Sequence, residues 1–326
     1  MKIFVTGGAG FIGSNFISYV LGSAQNYSII NFDKLTYAGN LANLDSIASD
    51  PRYTFIKGDI CDAAAVAAAM VGCQTVVHFA AESHVDRSIY EPAPMIETNV
   101  TGTFVLLQAA RKLNIEKFVH VSTDEVYGDL APDTFADENS PLQPSSPYSA
   151  SKAGSDLIVG SYVRTFDFPA VITRASDNYG PFQFPEKFLP LMITNALGDK
   201  TLPIYGDGLQ QRDWLHVKDH CRGIQAVLER GRIGEVYNIG GLDVVENLTM
   251  ARRLLRATGR TESLLSHVAD RPGHDRRYAL NCEKIEHELG WKPAISLDDG
   301  LRETIEWYRT NTKWLAGVRG GEYRAY

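Results

Sequence analysis

The chain has 326 residues, 44% of them hydrophobic, enough for one large domain or two moderate ones. Its 32 basic and 39 acidic residues leave a net charge of −7 with no long basic run, which argues against nucleic acid and anionic membrane as partners. No apolar stretch approaches the ~20 residues of a membrane span. The start, MKIFVTGG, leaves no room for a signal peptide, and the scattered Cys61, Cys73, Cys221 and Cys282 suit a reduced, cytoplasmic protein better than a disulfide framework.

In chain order, KIFVTG (2–7) reads as a buried strand, FIGSNFISYVLGS (11–23) as a helix, and SIINFD (28–33) and YTFIKGD (53–59) as strands. DAAAVAAAMVG (62–72) is an Ala-rich helix and TVVHFAA (75–81) a strand. A helix near 92–113, the strand KFVHVS (117–122), a helix from about Tyr148 and the strand PAVITRAS (169–176) follow. Continuous Val/Ile/Phe runs separated by helices mean parallel strands covered on both faces. The expected fold is α/β, a Rossmann-type doubly wound parallel sheet.

From about residue 177 the texture changes. DNYGPFQFPEKFLP, rich in Pro, Gly and aromatics, reads as a loop over a pocket, and KTLPIYGDG (200–208) as a small strand and turn. DWLHVKDHCRGIQAVLERG (213–231) and EVYNIGG (235–241) supply strands expected to rejoin the first sheet. The remainder, including LTMARRLLRATG and TIEWYRTNTKWL, is expected to form a smaller, mostly helical C-terminal lobe. The division is therefore 1–176 plus about 209–241 for one domain and 177–208 plus about 242–326 for the other.

TGGAGFIG follows the first strand and opens the first helix. Gly7, Gly10 and Gly13 permit a tight turn, close approach of a pyrophosphate and close helix–strand packing, with the phosphates on the helix N-terminus. Twenty residues after Gly13, Asp33 ends the second strand. An acid there binds ribose hydroxyls and repels a 2′-phosphate, which favours NAD over NADP. Asp59 in GDI is placed to edge the adenine, to cap the following helix, or both. His216 and His220 have helical spacing but lack the Glu of a zinc protease motif, so they read as structural and no metal is expected.

In SSPYSASK (145–152), Tyr148 and Lys152 are four apart and share one helix face. An ammonium and the positive nicotinamide ring would lower the Tyr148 pKa, so that its phenolate takes a proton as hydride leaves. STDEVYG (122–128) places Asp124 and Glu125 at the end of a strand. They are either an exposed turn or an acid–base pair, in which each negative charge raises the other's pKa.

The glycine turn, Tyr148/Lys152 and the strand before them resemble the extended short-chain dehydrogenase/reductase family. STDEVYG, AAESHVDRS (80–88), PSSPYSASK (144–152), NYGPFQFPEKFLP (178–190), PIYGDGLQQRDWLHVKDH (203–220), NIGG (238–241) and RPGHDRRY (271–278) are similar to those of its dehydratases that act on dTDP-glucose. An epimerase of this family needs only a small polar pair at Thr123-Asp124, whereas expulsion of water needs an acid and a base. The resemblance implies that Tyr148 deprotonates the 4-hydroxyl as NAD takes hydride from C4, that Glu125 removes the C5 proton while Asp124 protonates the departing 6-hydroxyl, and that hydride returns to C6.

The resemblance also assigns binding residues. Phe11 and Ile12 present backbone to the pyrophosphate, and Asp33, Lys34, Leu35 and Thr36 cover the adenosine, with Asp59 and Ile60 at its edge. Ala80, Ala81 and Thr98 line the cofactor channel, with Asn178 by the nicotinamide. Ser83 and Thr123 touch the sugar. Lys187, Phe188, Pro203, Ile204, Tyr205, Arg212, Asn238, Arg271 and His274 hold the nucleoside diphosphate. A homodimer is implied, through helices near 98–113 and 148–165 with Val100, Phe104, Leu107, Leu157 and Val163 as apolar candidates. Asp177 departs from an expected Asn on the substrate side, and pairing with Lys187 or Arg212 is the favoured accommodation. The competing readings are a dehydratase or epimerase for a UDP- or GDP-sugar, and an NAD(H) sensor without catalysis, which would tend to lose Tyr148 or Lys152.

Overall fold

The computed structural model describes residues 1–321; residues 322–326, the end of the expected second lobe, lie outside the described residues. Among the described residues there are twelve strands, in chain order: β1 (Lys2–Thr6), β2 (Ser28–Asp33), β3 (Tyr53–Lys57), β4 (Thr75–His78), β5 (Lys117–Thr123), β6 (Ala170–Ala175), β7 (Asp177–Tyr179), β8 (Leu202–Tyr205), β9 (Gln211–His216), β10 (Val236–Ile239), β11 (Val244–Glu246) and β12 (Leu265–Val268). Seven of them form one parallel sheet in the order β10-β6-β5-β4-β1-β2-β3.

Both faces of this sheet are buried, which is why its strands read as continuous apolar runs rather than alternating ones. Along β1, Ile3 and Val5 join one core while Phe4 joins the other. The first core is closed by the helices Phe11–Gly22 and Val217–Arg230 through Phe16, Ile17, Val20, Ile224 and Val227. The second is closed by Ala63–Met70, Thr103–Lys112 and Pro147–Phe166 through Met70, Leu106, Leu107, Val159 and Tyr162.

The smaller lobe has its own core, built from the helices Phe188–Leu197, Asn247–Thr258 and Leu297–Thr310. Two small sheets accompany it, β11-β9-β7 and β12-β8. The sequence expectation is corrected here. β10 rejoins the large sheet beside β6, but β9 does not. The free edge of β6 is taken by β10, and β9 pairs instead with β7, which leaves β6 through the single residue Ser176. The exposed β12 carries no apolar alternation by which it could be read from sequence. The helix expected near 92–113 is a short turn, a π-helical segment Ile96–Gly102 and the helix Thr103–Lys112. The π segment carries Thr98 to the main cavity, while Asn99 exchanges two 2.9 Å hydrogen bonds with the backbone of Glu82.

Candidate active site

The cavity lies along the carboxyl ends of the parallel strands. Gly7, at φ +70°, donates its N–H to Phe32 O at 3.1 Å. A Cβ on Gly7 would lie 2.6 Å from Ala80 N, and one on Gly13 would lie 2.3 Å from Gly7 O, so neither position admits a side chain. Gly10 precedes the first helix without a capping side chain, and Gly10, Phe11, Ile12 and Gly13 line the cavity. Helix N–H groups thus face a space cleared of side chains, which fits a pyrophosphate.

Asp33, at the end of β2, lines the cavity. Its Oδ2 accepts from Ala9 N at 2.9 Å and its Oδ1 from Leu35 N at 2.8 Å. Burial raises its pKa, and these two bonds oppose the rise. Lys34, Thr36, Ile60, Ala80, Ala81, Thr98, Ser83 and Asn178 line the same cavity. Leu35 departs from expectation: at φ +57° its side chain packs against the main core, and its N–H serves Asp33. Asp59 also lines the cavity and pairs with Lys34 at 2.6 Å, but it is not the helix cap. Asp62 is, accepting from Ala64 N and Ala65 N at 3.0 Å each.

The reactive groups converge from two elements. Ser146 and Ser149 form a reciprocal capping box with Pro147 in the first turn, which starts the helix that carries Tyr148 and Lys152. Thr123 ends β5 and caps the turn Asp124–Tyr127 by accepting from Glu125 N at 3.2 Å. Thr123, Asp124, Glu125, Tyr148 and Lys152 all line the cavity. The expected lowering of the Tyr148 pKa is not found in the chain alone. Burial raises it well above its ordinary value, Glu125 and Asp124 add to the rise, and a hydrogen bond with Thr123 opposes it. The Lys152 ammonium donates to Val121 O at 2.8 Å, and burial brings its pKa down to about 8 against the opposing pull of Asp156.

Asp124 is 3% exposed and its Oδ2 has no hydrogen-bond partner. Burial first, then Asp177, Glu125 and Asp213, push its pKa far up. Glu125 is raised to about 7 by burial and by Asp177, and held back by Lys187, Arg271 and Arg212. The two carboxyls therefore stand apart as a held acid and a poised base, with burial a larger cause than their mutual charge.

The lobe supplies the cations. Asp177 Oδ2 faces Arg212 Nε at 3.7 Å, the favoured pairing, at a length that leaves this oxygen without a hydrogen bond. Although 37% of the Asp177 side chain is exposed, its enclosure by protein raises its pKa, and Arg212, Lys187 and Arg271 lower it. Lys187 lines the cavity and donates to Ser83 O at 2.6 Å. Beyond the cavity, Arg271 Nη1 and Tyr205 OH share Asp86 at 3.0 and 3.1 Å, and His274 meets Asp270 at 2.6 Å. Phe188 stacks on Trp214 with ring centroids 5.9 Å apart.

Ile204, Arg212 and Asn238 also find partners within the protein. In β8 the alternation of the strand leaves Pro203 and Tyr205 outward and turns Ile204, fully buried, into the lobe core. Arg212 donates its Nη1 to Gln211 O at 2.8 Å and its Nη2 to Asp275 O at 2.9 Å, which fixes its guanidinium and leaves three of its five N–H donors uncommitted. Asn238 is fully buried within β10. Its Nδ2 donates to Ala136 O and Asn281 O, and its Oδ1 accepts from Tyr127 OH, which leaves nothing for a substrate.

Residues 4–304 match the GDP-mannose 4,6 dehydratase family model. A dTDP-glucose 4,6-dehydratase of Shigella flexneri is 50% identical, with 100% of this chain and 98% of that protein aligned. DesIV, the dTDP-glucose 4,6-dehydratase of Streptomyces venezuelae, solved with NAD and dTDP bound, superposes at TM-score 0.96 with 50% identity over 98% of this chain and 100% of that one. The chain belongs to the dTDP-glucose 4,6-dehydratase family of extended short-chain dehydrogenase/reductases. The Thermotoga maritima UDP-glucose 4-epimerase shares the architecture at TM-score 0.89 but only 29% identity, over 96% of this chain and 100% of that one.

In this member of the dTDP-glucose 4,6-dehydratase family the cavity is also walled by Tyr37, Glu82, Phe182, Gln183, Phe184 and Glu186. The last four lie in the segment expected to cover a pocket, but nothing in their identity singles them out. Glu186 ties that segment to Arg87 at 2.7 Å. Asp213 was also missed. Its Oδ2 is buried without a partner, and burial raises its pKa to about 7. Its charge and place within QRDWLH were the available signals.

Two outcomes follow from these raised carboxyls. A folded carboxyl pKa above its unfolded value favours the folded state at low pH and withdraws stability as pH rises from about 4.5 to about 7 for Glu125. Glu125→Gln therefore raises the melting temperature by a few degrees at pH 8 and changes it little at pH 5, as followed by calorimetry. Removing the Asp177 charge lowers the pKa of both Glu125 and Asp124. Asp177→Asn thus moves the acid limb of the pH–rate profile, set by Glu125, to lower pH, by roughly half a unit or more.

Proposed function

We propose that this chain catalyses the NAD-dependent conversion of dTDP-glucose to dTDP-4-keto-6-deoxyglucose with loss of water, in a sequence of C4 oxidation, C5/C6 elimination and reduction at C6. The observation that carries this reading is the buried Asp124 beside the poised Glu125, in one cavity with Tyr148 and Lys152. When bound along the glycine turn, NAD supplies the hydride acceptor for C4, the hydride donor for C6 and a positive charge that favours the Tyr148 phenolate. Tyr148 takes the 4-hydroxyl proton, and the resulting ketone acidifies C5. Glu125, near its own pKa at neutral pH, removes the C5 proton and later returns it. Asp124 keeps its proton because it is nearly dry, and gives that proton to the departing 6-hydroxyl.

Incubation with dTDP-glucose and, in parallel, UDP-glucose tests the substrate, read as the alkaline absorbance of the 4-keto product. Glu125→Gln is expected to cut product formation at least a hundredfold, consistent with loss of a general base, while NAD binding, followed by titration, is retained. Near-normal turnover by this variant would overturn the assignment.

The chain acts in the cytoplasm as a homodimer. No described helix is long and apolar enough to cross a membrane, and the four cysteines are unpaired. Of the apolar candidates for the dimer face, Phe104 and Leu157 are 44% and 59% exposed, Val100 and Val163 are half-buried, and Leu107 is spent on the chain's own core. Leu157→Arg is expected to halve the mass seen by light scattering at micromolar concentration while leaving the circular dichroism spectrum unchanged. A wild-type monomer would reject the dimer.

A further inference from the structure

Behind the catalytic helix lies a charged cluster that the reaction does not touch. Asp156, 3% exposed, sits one turn beyond Lys152 and accepts from Arg174 Nε of β6 at 2.9 Å. Its Oδ1 lies 3.3 Å from His120 Nε2 of β5. Arg174 Nη1 donates to Tyr127 OH at 2.9 Å, and Tyr127 donates to Asn238 at 2.8 Å. A buried ion pair is a poor way to gain stability, because well-packed apolar residues serve at least as well. Its position relative to Lys152 suggests another use.

The groups around the Lys152 ammonium are few. From β5 and β4 it meets His120 and His78, whose rings stand 5.3 Å apart and whose pKa values burial drives down, so both are neutral. The hydroxyl of Thr103 donates to Asn99 O and so accepts from His78 Nε2, while His78 Nδ1 accepts from Thr6. Ser155 likewise donates to Lys152 O and accepts from His120 Nε2 at 3.1 Å. On the helix itself, Tyr148 lies a turn before and Asp156 a turn after. Asp124 and Glu125 bear on Tyr148, whereas the carboxylate bearing on Lys152 is that of Asp156.

We propose that Asp156, held by Arg174, is a positioning residue that keeps the Lys152 ammonium charged and seated on the Val121 carbonyl. The inference rests on the reading of Lys152 as the cation of the active site. Burial disfavours the Lys152 ammonium, and Asp156 counteracts it. Removing the anion therefore lowers the pH at which the ammonium is lost, and with it the alkaline limit of activity.

The test is kcat against pH, from neutral to alkaline, for Asp156→Asn and for the double variant Asp156→Asn/Arg174→Gln, which leaves no unpaired buried charge. Both are expected to move the alkaline limb down by about one pH unit, a tenfold loss at a fixed alkaline pH, with far smaller loss on the acid side. Asp156→Glu restores the limb. A uniform loss at all pH values with the limb unmoved, in whichever of the two variants folds, would make Asp156 a purely structural residue and overturn the proposal. Full activity of Lys152→Met across the range would instead refute the reading of Lys152.

Discussion

Seven strands running in one direction end on one edge, and the site depends on that constraint. A parallel sheet leaves its carboxyl ends together, so residues scattered from Gly7 to Ser176 become neighbours without any loop having to travel. Gly7 follows β1, Asp33 ends β2, Asp59 follows β3, Ala80 follows β4, Thr123 ends β5 and Ser176 follows β6. The close approach of Gly7 to the Ala80 backbone joins the turns after β1 and β4, the two strands from which the sheet is wound in opposite directions.

The sheet edge contributes mainly acids, and the lobe contributes the opposing cations. Asp124 and Glu125 come from the turn after β5, whereas Lys187, Arg212 and Arg271 lie in the lobe sequence and lower the carboxyl pKa values they face. Asp177 and Asp213, on β7 and β9, act in the opposite sense. Three acids share this space with incomplete hydrogen bonding: Asp124, Asp177 and Asp213 each keep one buried oxygen unpartnered. Such groups cost stability, and they are tolerated here because a carboxyl that stays protonated near neutral pH is what elimination of water requires.

Beneath the edge, most polar groups have named partners, while His120 Nδ1 and Asp156 Oδ1 are left without a hydrogen bond. His78 and His120 each have a tautomer set by a neighbouring hydroxyl whose own proton is committed to a helix carbonyl. Asn238 ends the chain of contacts that begins at Asp156, so a residue in a motif-like stretch turns out to serve the core.

Local pattern was sufficient for the alternation of strands and helices, the glycine turn, the acid ending β2, and the Tyr148/Lys152 face, because each is written in a few adjacent residues with a fixed period or steric demand. Asp124 and Glu125 could be marked as a pair, but burial decided their protonation, and burial is a property of the assembled edge. Sheet membership of β9, the inward turn of Ile204 and the internal role of Asn238 depended on which distant segment pairs with a shared edge or carbonyl. Tertiary structure decided those, since hydrogen-bond partners a hundred residues apart leave no period in the sequence.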